Sequence, residues 1–64
     1  MRKNQGRFSA SGRSYPSEGA ALSAAQTFVC MRHQDEVYVR ELGRLAPLFR
    51  VERRGNSVYT FDLR

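Results

Sequence analysis

Arginine is the residue type in this sequence with the greatest capacity for recognition chemistry. The chain has eleven basic residues and its only lysine is Lys3, so ten of the eleven are arginine. The planar guanidinium fork binds phosphates and carboxylates through paired hydrogen bonds, and it stacks on aromatic rings. We predict a partner-binding surface in the second half of the chain, made of Tyr38, Arg40, Arg44, Arg50, Arg53 and Arg54.

A second basic group lies at the N-terminus. Arg2, Lys3, Arg7 and Arg13 all precede the first acidic residue, Glu18. Residues 1–6 are predicted as a disordered basic arm, and residues 7–64 as a single small domain. Such an arm either keeps the protein in solution or follows a phosphate backbone, so these four residues are the predicted nucleic-acid contacts.

Catalytic and metal chemistry find little support. Cys30 and His33 are three residues apart and could touch on a helix, but the C-terminal end of a helix disfavours a thiolate. We expect a buried cysteine and a surface histidine with no catalytic role. Asp35 and Glu36 are adjacent and point apart on a turn or strand. No Cys/His set of metal-ligand size occurs, so we predict a protein without enzymatic activity, cofactor or metal.

Composition limits the classes that remain. Sixty-four residues make one domain at most, and 41% apolar with 27% charged residues is too apolar for full disorder. The net charge is +5 and the sequence pI is about 10.4, which is typical of proteins with anionic partners, although a GC-rich genome also favours arginine. The sequence offers no membrane span or signal peptide, so a cytoplasmic location is expected.

One helix is predicted from Glu18 to about His33. Pro16 ends the preceding segment, and Ser17 is a suitable N-cap. Its apolar stripe has helical spacing and consists of Ala21, Leu22, Ala25, Phe28 and Val29. Arg32 and His33 are expected in the last turn, where cations interact favourably with the helix dipole.

The other segments are predicted as strands. Residues 7–15 form a weak edge strand, and residues 36–42 alternate between apolar and polar side chains. Residues 48–53 and 57–63 flank a hairpin signal at Gly55. The prediction is an α+β fold of order β-α-β-β-β, in which one amphipathic helix packs on a small antiparallel sheet in two layers.

Two hairpin registers are open. A two-residue turn at Gly55-Asn56 would place Phe49 opposite Asp62, which mixes apolar and polar side chains on each face. A three-residue loop would place Phe49 opposite Phe61 and would bury Tyr59 as well. Because a buried face fixes strand register, we predict the three-residue loop, with Asn56 in the left-handed conformation.

These elements would leave Tyr38 and several arginines on the solvent side of the sheet. In size and build the predicted domain is similar to small accessory proteins of phages and mobile elements, including anti-CRISPR proteins. Many of these place one helix on a small sheet and act by occluding a larger target. The resemblance is one of shape, and it implies a stoichiometric inhibitor or accessory protein whose target is a protein or nucleoprotein.

Two alternatives stay open. The first is direct binding of nucleic acid, through the basic sheet face or through a winged helix in which residues 36–46 are helical and residues 48–63 form the wing. The second is self-association, because a meander has open edges and a homodimer could form there.

Overall fold

The computed structural model describes residues 6–64, and these form one helix and one five-stranded sheet. In chain order the elements are β1 (Phe8–Ala10), β2 (Arg13–Tyr15), α1 (Glu18–Cys30), β3 (Glu36–Glu41), β4 (Phe49–Arg54) and β5 (Ser57–Asp62). All pairings are antiparallel, in the order β2-β1-β3-β4-β5. The helix contacts every strand, so the predicted two-layer α+β fold is confirmed.

The N-terminal segment is a hairpin and not the single edge strand predicted for residues 7–15. Ser11 and Gly12 have φ values of 54° and 79°, and two successive positive φ values are the requirement of a type I′ turn. β1 pairs with β2 on one side and with β3 on the other, so it lies inside the sheet. The prediction read Gly12 as part of the strand alternation, whereas it makes the turn.

The helix begins where the sequence predicts. The Ser17 hydroxyl accepts a hydrogen bond from the Ala20 amide at 3.1 Å, which satisfies one of the unpaired N–H groups of the first turn. The helix ends at Cys30, three residues before the predicted end. Arg32 adopts a φ of 64°, and the amides of Arg32 and His33 bond back to the last turn in a Schellman arrangement. Arg32 and His33 therefore follow the helix.

The core lies between the helix and the inner strands of the sheet. Ala21 and Ala25 are completely buried, and their small side chains allow the helix to approach the strands closely. The predicted apolar stripe of the helix is confirmed, because Ala21, Ala25 and Val29 are buried in the core. Leu22 and Phe28 are partly buried and pack against this core. The buried residues are Ala10, Ala21, Ala25, Val29, Val37, Val39, Leu48, Phe49 and Val51.

The predicted register of the second hairpin is wrong. Phe49 lies opposite Asp62 and Arg54 opposite Ser57, so the turn has two residues. Gly55 holds the positive φ, at 61°, and Asn56 does not. Glycine with positive φ at the first central position is the signature of a type II′ turn, whose twist matches the flanking strands.

The inner side of β5 can be polar because β5 lies at the edge of the sheet. Thr60 accepts a hydrogen bond from the Gln26 side chain of the helix at 3.0 Å. The Arg64 guanidinium carbon lies 5.0 Å from the ring centroid of Phe49, where the prediction placed Phe61. Tyr59 and Phe61, both predicted as core, consequently lie on the side of the sheet away from the helix.

One further expectation is contradicted by the fold. Residues 36–41 form a strand, so the winged-helix alternative, which needs a helix over residues 36–46, is wrong. Among residues 6–64, no helix has both the length and the apolar character needed to cross a membrane.

Candidate functional site

The side of the sheet away from α1 carries the candidate site. Side chains alternate along each strand, and those of Val37, Val39 and Val51 turn towards the helix. Their neighbours in sequence turn the other way and lie side by side, with Arg50 between Tyr38 and Phe61. We call this surface the outer face, and its residues are Glu36, Tyr38, Arg40, Arg50, Glu52, Arg54, Tyr59 and Phe61.

Three aromatic side chains are exposed on the outer face. Tyr38, Tyr59 and Phe61 keep 39%, 45% and 37% of their surfaces accessible. The rings of Tyr59 and Phe61 stack with 6.5 Å between centroids and 25° between planes. Neighbouring exposed rings on one face of so small a chain form the kind of apolar patch that marks an interaction site.

Each of these rings has its own arginine. The guanidinium carbon of Arg40 lies 6.0 Å from the centroid of Tyr38. The corresponding distance from Arg50 to Phe61 is 5.9 Å. Arg54 lies 5.8 Å from the Tyr59 ring. All three distances are within the range of cation–π attraction, which holds each guanidinium group near its ring.

Two glutamates join the arginines of β4 into an alternating row of charges. Arg50 Nε donates to Glu36 Oε2 at 2.6 Å, and its Nη2 lies 2.5 Å from Glu52 Oε1. Arg54 Nε donates to the other oxygen of Glu52. The hydrogen bond to Glu36 raises the pKa of Arg50, and the hydrogen bond from Arg54 lowers the pKa of Glu52. Both shifts favour the charged forms of Arg50 and Glu52.

The row limits both the charge and the freedom of the outer face. Three arginines and two glutamates give it a net charge of +1, a fraction of the +5 of the whole chain. The ion pairs and ring contacts restrict Arg50 and Arg54 to defined positions. The surface is thus a pre-arranged set of rings and guanidinium groups with little excess charge.

Arg53 belongs to the opposite side of the sheet, which corrects its predicted place beside Arg54. It shares the helix side with Phe49 and Val51, and 22% of its side chain is exposed. Its Nη2 donates to Asp35 Oδ1 at 2.6 Å, and Nη1 donates to the Gly55 carbonyl at 2.8 Å. Arg53 therefore ties the hairpin turn to the start of β3.

Arg44 lies in the loop between β3 and β4, beside a cleft of about 260 Å³. Glu41 lies in this cleft, 3.7 Å from Arg7 and 3.8 Å from Arg44. Arg40 also lines the cleft and donates to the Leu45 carbonyl at 3.3 Å. The cleft is therefore lined by three arginines and one glutamate, and the Glu41 carboxylate lies within ion-pair distance of two of the guanidinium groups.

Of the predicted N-terminal contacts, the structure describes Arg7 and Arg13, and these two lie in different places. Arg7 pairs with Glu41, and Arg13 is exposed on β2, on the helix side with Ala10. Arg2 and Lys3 lie outside the described residues. Arg7 and Arg13 therefore lie in the folded domain and do not belong to an arm.

The remaining chemistry-bearing residues are arranged as follows. Cys30 is exposed, contrary to the expectation of a buried cysteine. The His33 ring packs edge-on against Phe28, with 6.2 Å between centroids. Within the described part of the chain, no three His, Cys, Asp or Glu residues are placed to hold a metal ion.

Sequence reasoning missed half of the outer face. Tyr59 and Phe61 were assigned to the core, and Glu36 and Glu52 were not included. The signal that identifies Tyr59 and Phe61 is the Gly55-Asn56 turn, because a two-residue turn moves each side chain of β5 to the other face. Alternation with the buried Val37 and Val51 identifies Glu36 and Glu52. Compared with known proteins, the chain matches no family model, no curated protein and no solved structure.

Proposed function

We propose that this protein is a non-enzymatic binding module that acts by stoichiometric contact with a protein partner through its outer face. By covering a surface of a larger target it would occlude that surface, as an inhibitor or accessory protein does. The observation that carries the proposal is the set of three exposed rings, each paired with an arginine. Tyrosine and arginine are enriched among the residues that contribute most to protein–protein binding.

The ion-pair row supports this function because it lowers the cost of binding. A long side chain that becomes immobilised in an interface costs about 1 kcal/mol in lost freedom. Arg50 and Arg54 are already restrained by Glu36 and Glu52 in the free protein. A partner would therefore bind these two arginines in the positions that they already occupy in the free protein.

The charges also indicate the partner's chemistry. Arg50 donates through Nε to Glu36 and forms an ion pair with Glu52, whereas 64% of the Arg54 side chain is exposed. We expect an apolar centre that covers Tyr59 and Phe61, with a carboxylate or carbonyl at the rim that accepts from Arg54. A mildly acidic protein surface fits this description.

Single-stranded nucleic acid is the alternative, and the stacked pair of Tyr59 and Phe61 is the observation in its favour. Exposed aromatic rings on a sheet are the platform on which several proteins stack bases. Glu36 and Glu52 count against it, because they place two negative charges where phosphates would approach. Nucleic-acid binding would weaken with salt, by a log–log slope of about 0.7 for each neutralised phosphate.

The test is affinity capture from host lysate with and without nuclease, using three immobilised forms of the protein. The wild type and Leu45→Ser should retain the same protein, because Leu45 is 97% exposed outside the outer face. Tyr59→Ser should lose it, and nuclease should have no effect. Loss of the captured material after nuclease would favour the nucleic-acid alternative. Equal retention by all three forms would contradict the proposed surface.

A further inference from the structure

The outermost strand, β5, has a long open edge. It lies at one end of the strand order and all six of its residues are exposed. The strand at the other end, β2, has only three residues. Natural edge strands are commonly protected by lysine, proline, a bulge or short length. The sequence of β5, SVYTFD, contains neither lysine nor proline and pairs with β4 without a bulge.

The backbone groups on this edge can be identified from the register. The Leu63 amide donates to the Leu48 carbonyl at 2.9 Å, so residue 63 directs its N–H towards the preceding strand. Because these directions alternate along a strand, Tyr59 and Phe61 also direct their amides towards β4. The N–H and C=O groups of Val58, Thr60 and Asp62 therefore point to the open edge.

From this geometry we propose that β5 pairs with β5 of a second copy of the chain, antiparallel and about a two-fold axis at Thr60. In an antiparallel ladder only residues with edge-directed backbone groups can form hydrogen-bonded pairs. Edge-directed residues of the two copies must then oppose one another, and only a two-fold axis at Thr60 pairs all three of Val58, Thr60 and Asp62 with one another. Thr60 pairs with Thr60 of the second copy, and Val58 pairs with the second copy's Asp62.

The same register brings the aromatic residues together. Tyr59 comes opposite Phe61 of the second copy in a non-hydrogen-bonded pair, whose Cα atoms are about 4.5 Å apart. Such aromatic pairs across strands are stabilising, and so are threonine pairs like the one at the axis. The two outer faces become one continuous surface with four stacked rings at its centre. This inference does not depend on the identity of the proposed partner.

The net positive charge of each copy opposes dimerisation, and salt screens this repulsion. Each copy carries +5, and repulsion between two such molecules is screened over about 10 Å at 0.1 M ionic strength. Along the strand from Ser57 to Asp62 the only charged residue is Asp62, so the edge itself carries no like-charge contact between opposing positions. We therefore expect dimerisation to increase with ionic strength.

The first test uses the wild-type protein and hydrogen exchange of individual amides at increasing protein concentration. The amides of Val58, Thr60 and Asp62 should exchange at least about tenfold more slowly near millimolar concentration than near micromolar concentration. Those of Tyr59 and Phe61 are bonded to β4 in the monomer, so they should already be protected near micromolar concentration. Exchange of the edge amides that is independent of concentration would overturn the proposal.

The second test places a positive or a negative charge at residue 58 and measures the dimer dissociation constant by sedimentation equilibrium. Val58→Lys changes the net charge to +6 and Val58→Asp changes it to +4. General repulsion would make the aspartate variant the better dimer. The proposed register makes the lysine variant the better dimer, because the dimer contains two pairs in which residue 58 of one copy lies opposite Asp62 of the other. We expect the aspartate variant to be weaker by about two- to thirtyfold.

Thermal unfolding at high dilution checks that both variants fold. A third variant, Thr60→Pro, removes the edge N–H at the axis without removing a bond to β4, and it should abolish dimerisation. Dimers that are tighter for Val58→Asp than for Val58→Lys, or a wild type that stays monomeric at millimolar concentration in high salt, would contradict the two-fold edge pairing.

Discussion

Arg50 and Phe61 lie opposite each other on β4 and β5, with the guanidinium carbon 5.9 Å from the ring centroid, on the side of the sheet away from the helix. This pair exists because the Gly55 turn has two residues; a three-residue loop would place Phe61 beside Phe49 in the core. The register of one hairpin therefore decides whether Tyr59 and Phe61 lie in the core or beside the arginines of the outer face.

Two phenylalanines test this register. Phe49 is 8% exposed in the core, so Phe49→Ala should lower the free energy of unfolding by about 3–5 kcal/mol. Phe61→Ala should cost less than about 1 kcal/mol, because Phe61 is 37% exposed on the outer face, beside Tyr59 and Arg50. Chemical denaturation measures both. Equal and large losses would indicate that both rings are buried.

Two leucines in the loop before β4 test the boundary of the core. Leu48 is 2% exposed, and Leu48→Ala should lower stability by about 2–5 kcal/mol through lost burial and a residual cavity. Leu45 is 97% exposed, and Leu45→Ala should change stability by less than about 0.5 kcal/mol. The account of the core would fail if the exposed leucine proved the more costly to remove.

The helix start is tested by two serines. Ser17→Ala removes the acceptor of the Ala20 amide and should cost about 1 kcal/mol. Ser23→Ala, at an exposed position inside the helix, should be neutral or slightly stabilising because alanine is the best helix former. Thermal unfolding of the two variants compares them directly. A more damaging change at Ser23 would contradict the assigned N-cap.

Acidic pH should lower the stability of the folded protein, partly through protonation of Glu52. Arg54 holds the pKa of Glu52 below its ordinary value of 4.5. The unfolded chain therefore binds this proton first, so the stabilisation is complete above about pH 4.5 and is lost as the pH falls through the folded-state pKa. The melting temperature of wild type should fall more steeply on acidification than that of Glu52→Gln. Parallel curves for the two proteins would contradict the ion pair.

The pKa of Asp62 is also lowered, by hydrogen bonds from the backbone and side chain of Arg64. The stabilisation that Asp62 provides is therefore also lost as the pH falls through its folded-state pKa. This loss occurs in both wild type and Glu52→Gln, because Asp62 is present in both proteins. The difference between wild type and Glu52→Gln therefore isolates the row of charges on the outer face.

Local patterns in the sequence predicted the elements well. Helical spacing identified the buried face of α1, and Ser17 marked its start. Alternation identified Val37 and Val39 as the inner side of β3. These features are local, because the period of an element and the chemistry of its cap are contained within a few residues.

The site required information that is not local. The prediction assumed that every strand needs an apolar inner side, but an edge strand can satisfy polar groups, as Thr60 does with Gln26. The same error in register carried Tyr59 into the core. Arg53 was grouped with Arg54 as its neighbour in sequence, although adjacent residues of a strand point to opposite faces.

The most direct test of the outer face compares two matched charge reversals for affinity towards the captured partner, by isothermal titration. Arg54→Glu and Arg13→Glu both replace an exposed arginine and both change the net charge from +5 to +3. Arg54 belongs to the outer face and Arg13 does not. We predict that Arg54→Glu weakens binding by about thirtyfold or more and that Arg13→Glu changes it by less than about threefold. Equal weakening by both variants, or full affinity of Arg54→Glu, would contradict the outer face as the binding surface.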